Sequence, residues 1–219
     1  MKKAHFSIDD VGRSFAYISK SKPASIFDLR LYSQLLQWYK EYGVISNLYC
    51  IFNLDNFIIS DTPMMYKTEF EENANWLKYG FHSGYEKPFI EDSDYMASYV
   101  KTHNFIEEMS MGQTRDIRLH SWRATDDQEA FLNYMGIKTL FMPNDKENPY
   151  DENGTYIRNG IIHRRTDVWF EKIDEINEEN LGVEKEYLTL FTHEWCFDEQ
   201  KERIDTAIGI LINNGFVFV

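Results

Sequence analysis

Hydrophobic positions along the chain follow two alternating rhythms. Short apolar runs of strand length recur at 4–9, 45–52, 78–82, 115–120, 137–142, 187–193 and 216–219. Between them, helix-like patterns run over 28–42, 66–78, 92–109, 125–135 and 197–214. Gly43, Gly136 and Gly215 stand just past three of these stretches, where a left-handed C-cap favours glycine. Gly136 and Gly215 each lead straight into an apolar strand. Alternation of this kind predicts parallel strands covered by helices. A polar, turn-rich stretch at 143–153 interrupts it, and Asn159-Gly160 within TYIRNGIIHRR is a two-residue hairpin signal. The expectation is an α/β fold: a mostly parallel barrel or sheet carrying a small antiparallel flap.

Length and composition narrow this further. The chain has 219 residues, with no Gly/Ser/Pro-rich linker and no repeat, so one domain over 1–219 is expected. Net charge is 23 − 36 = −13, which repels phosphate backbones and anionic lipid, so neither nucleic acid nor membrane is an expected partner. The apolar run near the N-terminus breaks at Asp9, and no 18-residue apolar stretch occurs. A soluble, cytoplasmic protein is expected. Cys50 and Cys196 are far apart, without CxxC spacing, and read as two buried free thiols. The sequon at Asn153-Gly154-Thr155 then carries no meaning. Aromatic residues make up 16% of the chain, enough to build both a core and a stacking surface for a ligand.

In folds of parallel strands, functional groups gather at the C-terminal strand ends. Those ends hold Asp9-Asp10, His82, Arg118 with His120, and His193. The Asp pair by itself fits a turn, with Gly12 nearby, or a cation holder beside a base. His82 and Glu86 are four residues apart and can face one ion, with Asp10 as the third ligand around an open-sited metal. His193, ending the strand pattern LTLFTH, is a candidate proton donor. Asp167 and Trp169, two apart, lie on one side of an extended segment. They read either as an orienting carboxylate and a pocket wall or as a surface acid and a core indole.

The order of these pieces resembles the polysaccharide deacetylases of the NodB-homology, carbohydrate esterase type. The chain reads S-I-D-D-V, then H-S-x-x-E at 82–86, then Arg118, then D-V-W at 167–169, then F-T-H at 191–193. The resemblance implies a distorted (β/α) barrel of about seven strands, with Asp9 as general base and Asp10, His82 and Glu86 as metal ligands. It further implies Arg118 as the tether of the base, His193 as general acid, and Asp167 as the residue tuning it. Trp169, Phe191, Trp122 and His120 would contact substrate. The implied cofactor is a divalent metal, zinc first, with manganese, iron, cobalt or nickel as alternatives. The implied reaction is hydrolysis of an N-acetyl group from an amino sugar or polysaccharide precursor. The alternative is a catalytically impaired relative that binds carbohydrate during surface-polysaccharide assembly. Three departures stand out: Glu86 in place of the family's His or Asp, an arginine segment reading R-L-H-S-W, and Phe191 in place of Leu.

Overall fold

A computed structural model describes residues 1–85 and 95–219. In chain order, its elements begin with β1 (Lys2–Val11), α1 (Arg13–Ser21), α2 (Arg30–Tyr42), β2 (Ser46–Leu54), β3 (Phe57–Ile58), α3 (Lys67–Glu72) and β4 (Leu77–Tyr85). Next come α4 (Tyr95–Glu108), β5 (Gly112–Gln113), β6 (Asp116–Ile117), α5 (Asp126–Tyr134), β7 (Thr139–Met142), β8 (Thr155–Arg158) and β9 (Ile161–Arg165). The chain ends with β10 (Val168–Trp169), α6 (Glu178–Leu181), β11 (Tyr187–His193), α7 (Phe197–Asn213) and β12 (Phe216–Phe218).

Among the described residues, the strands form two sheets. One runs β10-β11-β1-β2-β4-β5, with β12 beside the start of β1 and β3 beside the end of β2; the other runs β6-β7-β9-β8. Pairing is parallel throughout except for β3 on β2 and β8 on β9. Hydrogen bonds join the sheets on both sides. The Tyr49 hydroxyl donates to the Asp116 carbonyl, while the Thr166 and Asp167 amides donate to the carbonyls of Met142 and Thr189. The result is the distorted α/β barrel that the sequence pattern and the resemblance lead one to expect.

Alternation along β1 shows how this barrel is sided. Ala4, Phe6 and Ile8 belong to the core that also holds Trp38, Ile204, Ala207 and Leu211 of α2 and α7. The intervening His5, Ser7 and Asp9 are also buried, and they meet other polar and aromatic side chains. His5 Nε2 lies 2.8 Å from the Tyr49 hydroxyl, and Ser7 and Asp9 both receive Arg118. One phase of the strand therefore builds the helix-facing core, and the other carries polar chemistry up toward the strand ends.

Several sequence expectations shift by local chemistry. The helix pattern over 66–78 ends as α3 at Glu72, because Asn73 donates its side-chain amide to the Glu69 carbonyl and accepts from the Trp76 indole. The strand over 115–120 stops at Ile117, which releases Arg118 and His120 from the pleat. The hairpin at Asn159-Gly160 forms, with both residues at positive φ (50° and 78°). However, its second strand also pairs in parallel with β7, so β9 is part of the barrel wall and only β8 is a flap.

Candidate active site and metal centre

Two bulges set the geometry. On β1, Ile8 pairs with Leu48 and Val11 with Cys50, so two residues of β1, Asp9 and Asp10, face one of β2. On β4, Phe81 pairs with Cys50 and Ser83 with Ile51, leaving His82 as the extra residue. Bulges re-aim side chains, and these two do so at adjacent strand ends. Asp10 adopts a left-handed φ of 58°, which Asp tolerates better than most residues. Strict alternation would send Asp10 to the helix side; the bulge turns it back over the rim.

There Asp10 Oδ1 lies 3.2 Å from His82 Nε2 and 3.2 Å from His120 Nδ1, and Oδ2 accepts from the Trp195 indole at 3.1 Å. The other nitrogen of His82, Nδ1, is 2.6 Å from the Arg118 carbonyl. A carbonyl only accepts, so Nδ1 carries a proton, and Nε2 faces Asp10 as a donor when the ring is protonated and with its lone pair when the ring is neutral. His120 sits in the turn His120–Trp122, where Ser121 and Trp122 both have positive φ. Such backbone costs on the order of 1–3 kcal/mol per residue and is concentrated at sites. Burial alone would raise the Asp10 carboxyl, but hydrogen bonds from His120 and His82 outweigh it and hold the group well below the usual carboxylate range. For His82, burial works downward, while the hydrogen bond to Asp10 and the charges of Asp9 and Asp10 raise its pKa overall.

Beneath this rim lies a buried ion pair. Arg118 Nη1 donates to Asp9 Oδ1 and to Ser7 Oγ, each at 2.9 Å, and both charged side chains are at most 2% exposed. The guanidinium sits 4.0 Å from the centroid of the Phe191 ring. Arg118 thus holds Asp9 with its side chain and orients His82 with its carbonyl.

Across the rim, His193 is the register partner of Asp9 on the adjacent parallel strand, about 5 Å away. Its Nδ1 lies 3.0 Å from Glu171 Oε1, an oxygen that also takes the His193 amide, the Thr192 hydroxyl and the Cys196 thiol. Burial would raise the Glu171 carboxyl, but the donors of His193 and Cys196 bring it down to about 2. Trp169, Phe191 and Trp122 form an edge-packed cluster, with Trp169 and Phe191 within 5.7 Å and 5.4 Å of the His193 ring. They wall a cavity of about 270 Å³ that Pro143, Asn144, Thr166, Asp167 and Lys172 complete.

The structure therefore brings together Asp9, Asp10, His82, Arg118, His120 and His193, with Trp122, Trp169 and Phe191 alongside. Two sequence readings change. Asp167 does not orient His193: it stands level with Thr189, four residues or about 13 Å down β11, and its carboxylate is held by Lys185 and Thr189. Glu171 takes the orienting place. It is the next residue in the Asp167, Trp169 alternation, which is the signal that could have found it. His120, read as a substrate contact, stands instead with the ligand atoms of Asp10 and His82. Glu86 lies outside the described residues.

The donor set suits a divalent ion. The three ligand atoms of Asp10, His82 and His120 lie within 4.8 Å of one another. Bond lengths of about 2.0–2.2 Å place adjacent ligands of one ion about 3 Å apart, close to the 3.2 Å seen at both histidines. A neutral His82 would otherwise aim a lone pair at a carboxylate oxygen. A cation between them, or a proton on Nε2, relieves that contact.

No family model and no curated protein matches the sequence. Solved structures do match, across the whole chain. A peptidoglycan N-acetylglucosamine deacetylase superposes with a TM-score of 0.59 at 12% identity, covering 99% of this chain and 85% of that one. A family 4 acetyl xylan esterase from Clostridium thermocellum, solved with a cobalt ion, gives 0.58 at 12%, covering 100% and 87%. A family 4 pseudoenzyme from Bacillus anthracis gives 0.57 at 14%, covering 99% and 63%. The chain has the fold of the family 4 carbohydrate esterases, the polysaccharide deacetylases.

Proposed function

We infer that this protein is a metal-dependent hydrolase that removes an N-acetyl group from an amino sugar or a polysaccharide precursor. The observation that carries the reading is the pairing, at one rim, of a tethered carboxylate with an ion-holding trio. Asp9 bonded to Arg118 stands next to Asp10, His82 and His120, and His193 bonded to Glu171 faces it from the neighbouring strand.

Asp10, His82 and His120 would hold the ion. When bound, a divalent ion supplies Lewis acidity that makes a water more acidic and polarises the scissile carbonyl. Zinc, manganese, iron, cobalt and nickel all accept one carboxylate and two imidazoles, with zinc the first choice. Arg118 pairs with Asp9 and holds its carboxylate at the rim, where Asp9 would receive the proton of the attacking water. Glu171 fixes the His193 proton on Nδ1 and turns Nε2 to the reacting centre, where the ring, once protonated, gives a proton to the departing amine. Trp122, Trp169 and Phe191 exclude water and pack against the acetyl group and the apolar face of the sugar. Acetate and a free amino sugar are the products.

The free thiols Cys50 and Cys196 suit a reducing compartment, which favours a cytoplasmic substrate such as a precursor. Among the described residues, no helix is long and apolar enough to cross a membrane.

The test is acetate release from N-acetylated oligosaccharides by metal-loaded protein, with Asp9→Asn beside it. Asp9→Asn is expected to keep its metal and lose turnover. If the loaded parent binds oligosaccharide and releases no acetate, the carbohydrate-binding reading replaces this one.

A further inference from the structure

We propose that Glu171, His193 and Cys196 form a second metal site, distinct from the first, that takes a thiophilic dication such as zinc and removes His193 from proton transfer. The site itself does not depend on the deacetylase reading; its effect on turnover does.

The three side chains converge from separate places: Glu171 just after β10, His193 at the end of β11, and Cys196 in the turn that enters α7. Their ligand atoms lie within 4.8 Å of one another. Cys196 Sγ is 2.6 Å and His193 Nδ1 is 3.0 Å from the same Glu171 oxygen. That oxygen is crowded, while Glu171 Oε2 is buried with no hydrogen-bond partner among the described residues. A buried carboxylate oxygen left unpaired is costly, and coordination would satisfy it.

Ligand chemistry separates the two centres. Asp10, His82 and His120 offer oxygen and nitrogen only, whereas Glu171, His193 and Cys196 add sulfur. Carboxylate, imidazole and thiolate are all zinc ligands, and the sulfur selects thiophilic ions over magnesium, calcium or manganese. Charge also closes. One carboxylate and one thiolate balance a dication, so a largely buried centre becomes neutral with imidazole as the third ligand. Without metal the thiol holds its proton firmly, since burial and the Glu171 charge push it up to about 12. The ion would take over the place of that proton.

Protons balance simply. Binding releases the Cys196 thiol proton to solvent and moves the His193 ring proton from Nδ1 to Nε2, with no change in oxidation state. The Nε2 proton could then leave only as the ring became imidazolate, so His193 would stop cycling protons.

Cobalt titration of the full-length protein tests this, because a thiolate-to-cobalt charge-transfer band in the near ultraviolet reports sulfur ligation directly. The parent is expected to take up two cobalt ions per chain and to show the band. Cys196→Ser is expected to take up one ion and lose the band, and Cys50→Ser to keep it. Asp10→Asn should keep the band while losing the other ion, which separates this site from the first. Glu171→Gln leaves the sulfur in place and is expected to shift the band's titration midpoint at least tenfold upward. It decides the matter should Cys196→Ser fail to fold. With zinc, inhibition by excess ion should vanish in Cys196→Ser. A cobalt-saturated parent without the band overturns the proposal, as does a band that persists in Cys196→Ser or titrates unchanged in Glu171→Gln.

Discussion

Replacing Arg118 by Met removes the cation from the Asp9–Arg118 pair while keeping most of the side chain's volume. The two charges are 2.9 Å apart, and at an effective dielectric of 20 their gross attraction is about 6 kcal/mol. Desolvation offsets much of that, so the pair need not be more stable than a well-packed apolar replacement of both partners. Removing one partner is different, because it leaves a carboxylate at most 2% exposed without its counter-charge. Such a break costs about 3–5 kcal/mol. Ser7 loses a donor as well, and Phe191 loses the cation above its ring. For a chain of this size, about 2–4 °C per kcal/mol converts this to a fall in Tm of roughly 6–20 °C. Urea unfolding followed by tryptophan fluorescence, with m held common to all variants, measures it. The double variant Asp9→Asn/Arg118→Met carries no unpaired charge, so it should be more stable than Arg118→Met alone. If Arg118→Met costs under about 1 kcal/mol, or if the double variant is the less stable of the two, the carboxylate is not held as an ion by Arg118. The account of Asp9 as a base would then fall with it.

Other expectations concern the metal, the acid limb and the hairpin. His82→Ala and His120→Ala should each lose the first-site ion by elemental analysis; an ion kept by His120→Ala and lost by Glu86→Ala would make Glu86 the third ligand in place of His120. Glu129 is buried, which raises its carboxyl, but His163 and the guanidinium of Arg158 hold it down at about 2. A folded pKa below the unfolded one stabilises above about pH 4.5 and is lost as pH falls through 2, so Glu129→Gln should flatten the acid limb of stability by on the order of 3 kcal/mol. Gly160→Ala places a Cβ 2.6 Å from the Asn133 side chain at a φ of 78°, and should lower stability by about 1–2 kcal/mol without changing metal content.

Most of the fold was legible because its parallel strands are buried on both faces and read as compact apolar runs. Leu188 to Thr192 of β11 and Ala4 to Asp9 of β1 are buried without a break. Misreadings occurred where a polar side chain competes with the backbone. Asn73 ends α3 a turn and a half early for this reason. The first helix, α1, was not anticipated. Its starting amides, at Gly12, Arg13 and Ser14, are taken by Glu194, some 180 residues further along the chain. A helix start satisfied by so remote a side chain has no local capping signature.

The site was legible in its residue types and less so in their partnerships, and the two bulges explain the difference. Period-two alternation assigns each strand residue to a face, and on that rule Asp9 and Asp10 cannot both serve one rim. The extra residue in β1 and the extra residue in β4 each break the rule by one position, at Asp10 and at His82. Nothing local in S-I-D-D-V or F-H-S-G announces a bulge, because it depends on β2, which both strands flank. The third ligand is hidden in the same way. A spacing of four makes Glu86 the natural companion of His82 in the sequence, and no such spacing points to His120. His120 comes instead from the turn after β6, carried in by the Arg118 carbonyl that holds His82 Nδ1. Because Arg118 bonds Asp9 through its side chain and His82 through its backbone, any shift in that turn moves the proposed base and the proposed ligand together. The geometry of the proposed ion site and base is thus tied to one residue, and substitutions at Ser121 or Trp122 should disturb both at once.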